Sequence, residues 1–147
     1  MHLIDHSRNL TGSRTEKGEA MFRRVLVILV HGLLGWALCA ATMGLGMALT
    51  TQTAAMWIHL ILGPVFFGLI SLFYFRRFNF TSPMATALIF VGLVIGLDFF
   101  LVALVILRDL AMFRSPLGTW IPFGLIFGLT WLAGRFDRSR RRGAPTG

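Results

Sequence analysis

The sequence predicts an all-α, polytopic membrane protein: a four-transmembrane-helix bundle with both termini on the cytoplasmic side. Three observations carry that expectation. Hydrophobic residues make up 56% of the 147 and charged residues only 14%, with a mean hydropathy of +0.75, whereas a soluble domain carries about a quarter charged residues. Four apolar runs follow one another between positions 25 and 134, each meeting or approaching the roughly 20 residues a bilayer core demands. Twelve of the fourteen Lys and Arg residues fall in segments that four spans would put on one side.

Residues 1–24 form a polar N-terminal segment ending in Met21-Phe22-Arg23-Arg24. It has no apolar core near its start, so the first span, 25–49, reads as an uncleaved signal anchor. Thr50-Thr51-Gln52-Thr53 is a polar turn before the second span, 54–75. Arg76-Arg77-Phe78-Asn79 is a basic loop, and 84–107 is the third span. A mixed loop, 108–115, leads to the fourth and shortest span, 117–134, which is expected to stand more upright. The membrane domain thus covers 25–135, and 136–147 is a basic cytoplasmic tail. Two helix starts share one chemistry: Thr81-Ser82-Pro83 and Arg114-Ser115-Pro116 each offer a serine N-cap followed by proline at the first helical position. The hydroxyl accepts an orphaned backbone N–H, and the proline needs no donor there.

Orientation follows from the basic residues. Arg8, Arg14, Lys17, Arg23 and Arg24 precede the first span, Arg76 and Arg77 lie in the second loop, and the tail holds Arg135, Arg138, Arg140, Arg141 and Arg142. Only Arg108 and Arg114 fall on the other side, so the positive-inside rule makes the termini cytoplasmic and places the chain in the cell (inner) membrane. Trp57 and Trp120 then sit near the outer interface and Trp131 near the inner one. The net charge of +8 is explained by topology; no nucleic-acid-binding signature accompanies it. Cys39 is the single cysteine, which excludes an internal disulfide and any CxxC site. Phosphate-binding loops, GxSxG, HExxH and paired catalytic carboxylates are absent, so no enzyme activity, metal or cofactor is expected.

Polar residues inside the apolar runs are the candidate site. Asp98 lies about 21 Å from the cytoplasmic edge of the third span. An ionised carboxylate there costs about 2.5–3.5 kcal/mol on the gentlest scale, so it needs a partner, water or a proton. It reads either as an ion or proton site or as a hydrogen-bonded acid that locks helix packing. His59, about one helical turn away in depth, is its expected partner, with an interfacial histidine as the alternative. His31 lies near the inner side of the first span and is expected to donate to a neighbouring carbonyl. Bis-histidine haem ligation is not expected, because His31 and His59 differ by about 12 Å in depth.

Small residues mark packing faces. Gly35, Leu38, Thr42 and Gly46 continue the His31 stripe, with Cys39 at its margin, and this stripe is expected to face the bundle. Gly92 and Gly96 form GxxxG on the third span, about 120–160° from Asp98 on a helical wheel, and Gly124 and Gly128 form another on the fourth. One such face would serve a homo-oligomer or a larger membrane complex.

The runs His31-Gly32-Leu33-Leu34-Gly35-Trp36-Ala37-Leu38-Cys39 and Gly118-Thr119-Trp120-Ile121-Pro122-Phe123-Gly124 resemble segments of a group of small four-span microbial membrane proteins. The resemblance covers most of the chain from 31 to 134 and implies the architecture alone, with no activity attached. The function expected first is a small-solute or ion transporter, proton-linked through Asp98 and His59. The alternative is an accessory subunit of a larger membrane complex, with a membrane enzyme third.

Overall fold

In a computed structural model, residues 3–114 and 116–143 are described. Four α-helices make up the fold: α1 (Leu3–Leu49), α2 (Gln52–Arg77), α3 (Pro83–Leu97) and α4 (Ile121–Gly143). Three helical stretches are long and apolar enough to cross a membrane: α1 from Glu16 to Leu49, α2, and α3 with its continuation to Leu107. In α4 the apolar part ends before Arg135, about 20 Å of helix at 1.5 Å per residue, short of the ~30 Å hydrocarbon core.

Local chemistry sets most of the boundaries. Thr51 caps α2 by accepting from the Ala54 N–H at 3.3 Å, so the expected polar turn shrinks to two residues. At the other end the chain stops on Asn79, whose φ of 47° closes the helix; asparagine visits this left-handed region more readily than most residues. Ser82 caps α3 through the Ala85 N–H, with Pro83 in the first turn, as its sequence signature requires. The matching cap at Ser115 lies outside the described residues. Pro116–Trp120 instead forms a wider π-helical turn, and regular α-helix begins at Ile121, later than the expected 117. Beyond Leu97 the third helix also widens, running as a π-helix over Asp98–Leu107 until Arg108 takes a left-handed φ of 52°.

The helices form a ring in the order α1, α2, α4, α3. Contacts fix their directions. Gly35 lies against Phe67 and Gly46 against Ala55, so α1 and α2 are antiparallel. Gly32 meets Phe90 and Leu93 while Trp36 reaches Asp98, so α1 and α3 run the same way. Ser71 pairs with Thr130 and Phe75 with Arg141, so α2 and α4 do too. One end of the bundle therefore gathers Arg24, which lies over the Phe80 ring, with Arg76, Arg77, Arg135 and Arg141. The other end holds Thr50, Thr51 and Arg108.

The core is aromatic. Phe67, Tyr74, Phe75 and Phe90 are fully buried beside Val94, Phe123 and Ile126. Several hydroxyl groups inside it satisfy one another. Ser71 Oγ donates to Thr130 Oγ1 at 3.1 Å between α2 and α4. Thr86 Oγ1 donates to the Ser82 carbonyl at 3.0 Å, which leaves Thr81 to donate to Thr86 and Tyr74 to donate to Thr81. Around this core the surface is apolar: Leu29, Leu33, Ile61, Leu69, Phe73, Leu88, Val105 and Ile106 are all exposed. The accessible surface is 10300 Å², against about 7500 Å² for a soluble globular chain of this mass. So wide an exposed apolar surface fits membrane association.

Candidate functional site

Three helices bring polar groups together midway along the bundle. Trp36 on α1 donates its indole N–H to Asp98 Oδ1 at 2.8 Å, across 62 residues of sequence. Cys39 lies one turn along α1 from Trp36 and is buried. From α2, His59 comes up beside Cys39. Its ring also edges the space beside Gly63, where Cys39 Sγ lies 3.2 Å from the position a Cβ would take. Asp98 and His59 thus flank the same turn of α1, with Trp36 as the acid's direct partner.

The geometry has a chemical consequence at His59. His59 Nδ1 is buried without any hydrogen-bond partner. An unpaired polar atom in a low-dielectric interior costs free energy comparable to a lost hydrogen bond. A π-helix begins at Asp98 itself, and departures of this kind are frequent at functional sites.

His31 is not part of this cluster. Its Nδ1–H donates to the Val27 carbonyl at 2.7 Å, and its ring sits among Phe73, Tyr74 and Phe78 with centroids 5.4–5.9 Å away. In the α1/α2 register, where Gly35 faces Phe67 and Gly46 faces Ala55, His31 and His59 are about 17 Å apart along the bundle. Among the described residues no group of three or more His, Cys, Asp or Glu is placed to hold a metal ion.

The glycines divide into two sets. A Cβ on Gly35 would meet the Phe67 ring at 2.7 Å, and one on Gly46 would meet Ala55 at 2.8 Å, so these positions let α2 approach α1. The buried line on α1 is Ile28, Gly32, Gly35 and Cys39, which makes Cys39 central to the seam, not marginal. Thr42 donates to the Leu38 carbonyl of its own helix. Gly92, Gly96, Gly124 and Gly128 behave differently, since a Cβ on any of them meets nothing within 4 Å. Among the described residues, nothing packs against these four positions.

Trp36 is the residue that sequence reasoning passed over. Its position away from both ends of an apolar run was the available signal, because a buried indole N–H seeks an acceptor. No protein-family model, curated protein or solved structure matches the chain. The resemblance to a four-span group rests on its two quoted runs alone.

Proposed function

We propose that the chain crosses the bilayer four times with both ends cytoplasmic, and that Asp98 and His59 form a proton- or cation-linked site of a small-solute or ion transporter. One observation carries the functional part: a buried histidine nitrogen with no partner lies beside Cys39, one turn of α1 from the Trp36 that bonds an intramembrane carboxylate. A carboxylate and an imidazole lone pair at similar depth can exchange a proton or share a cation, and intramembrane ionisable residues mark such pathways. The four-span reading is supported by α4 lying alongside α2 and α3, with its arginines at the bundle's basic end.

The test is flux. In proteoliposomes holding a pH-sensitive dye, the native chain should move protons when a membrane potential is imposed. Asp98→Asn and His59→Gln should each lower that flux at least tenfold while the protein still runs as a monodisperse species. Proton-silent native protein, or full flux in both variants, would sink this reading.

A second reading has its own observation. The open faces at Gly92/Gly96 and Gly124/Gly128 fit an accessory subunit that packs against another membrane helix, since small residues let backbones approach closely. Gly92→Leu and Gly124→Leu should then abolish co-purification or crosslinking of the assembly without unfolding the single chain.

A further inference from the structure

At the basic end of the bundle a groove of about 410 Å³ opens between the start of α3 and the last turns of α4. Its lining is apolar at Pro83, Met84 and Trp131 and polar at Ser82, Arg135, Arg138 and Ser139. The Arg135 guanidinium stacks over the Trp131 ring, 4.9 Å from its centroid, which holds one cation against the apolar lining. Ser82 Oγ accepts from the Ala85 N–H, leaving its own proton to donate. No carboxylate lines the groove: Asp137, the nearest acid in sequence, is engaged by Arg141 at 2.8 Å. The groove therefore carries two positive charges and the Ser82 hydroxyl donor beside apolar side chains, while Ser139 donates to the Phe136 carbonyl.

We propose that this groove binds the headgroup of an anionic phospholipid, its phosphate on Arg138, Arg135 and the Ser82 hydroxyl and its glycerol and upper acyl carbons against Trp131 and Met84. Charge complementarity selects the occupant, and the apolar side chains in the lining favour a lipid over a free phosphate. Basic pockets between helices on the cytoplasmic side take such headgroups, and guanidinium groups suit phosphate through paired N–H donors. The inference depends on the membrane embedding of the bundle and not on the Asp98 reading.

Native mass spectrometry of the full chain tests it, with the protein released from nanodiscs containing phosphatidylglycerol, diphosphatidylglycerol and phosphatidylcholine. The native chain should keep one anionic lipid in preference to phosphatidylcholine. The double variant Arg135→Ala/Arg138→Ala should lose that lipid by about fivefold per arginine. The control pair Arg77→Ala/Arg140→Ala, equal in charge but outside the groove, should lose far less. Arg138→Lys keeps the charge and should retain an intermediate fraction, which guards against a folding defect in the double variant. Equal losses from the two pairs would overturn the groove as a site and leave only general surface attraction. Displacement of the lipid by millimolar glycerol phosphate, with no return on adding lipid, would overturn the lipid as the occupant.

Discussion

An indole N–H inside hydrocarbon has few acceptors to choose from, and Trp36 finds the Asp98 carboxylate 2.8 Å away. The bond ties α1 to the third helix where that helix changes its winding. Two substitutions separate the structural share of Asp98 from its charge. Asp98→Asn keeps an amide oxygen for the indole, so unfolding free energy in mixed detergent should change by less than about 1 kcal/mol. Asp98→Ala leaves the indole N–H unpaired and should cost about 1–3 kcal/mol. If the alanine variant is as stable as native protein, the bond contributes nothing to the fold. Asp98 and His59 were legible in the sequence because ionisable groups stand out against an apolar run. Trp36 was not, since hydropathy counts its ring and ignores its N–H. Cys39 was placed one position off the seam because the stripe was drawn through Thr42, which bonds its own helix instead.

Between helices, the two sets of glycines should respond in opposite ways to the same added methyl. At Gly134 a Cβ would lie 2.7 Å from the Pro83 ring and 2.8 Å from Phe75, neither of which can swing aside. Gly134→Ala is expected to cost about 1–3 kcal/mol, the usual range for overpacking, read from the detergent unfolding midpoint. Gly124→Ala meets open space and should leave the isolated chain as stable or slightly more so, alanine being the better helix former. The hydroxyl pair Ser71–Thr130 bridges α2 and α4; replacing both by alanine should cost only about 0.6 kcal/mol, the average for such bonds in membranes. Helix starts at Ser82-Pro83 could be read in advance because capping is local chemistry. The π-helical stretches could not, since no residue type in 98–107 announces a wider winding.

For the molecule as a whole, the ring order and helix directions put the start of the apolar part of α1 and the end of α4 at one end of the bundle. Reporter fusions at the two termini are therefore expected to give the same cytoplasmic signal; opposite signals would remove the fourth crossing. The number of α-helices was legible from the sequence, whereas only three stretches prove long and apolar enough to cross a membrane, the fourth being shortened by where its helix begins. The adjacency of α2 to α4, and of α1 to α3, was not legible, because chain order favours sequential neighbours and only side-chain fit selects this ring.

Arg141 shows what hydropathy leaves out. Its guanidinium is steadied by Asp137 at 2.8 Å and donates to the Phe75 and Arg76 carbonyls, the loose ends of another helix. A chain cut after Arg140 would keep every apolar residue of the bundle and still come unlatched there. Hydrogen exchange should then quicken in the final turn of α2, some 65 residues upstream of the missing side chain, while the midplane amides stay protected. Tail length, not just tail charge, becomes a variable that any shortened version of this protein must respect.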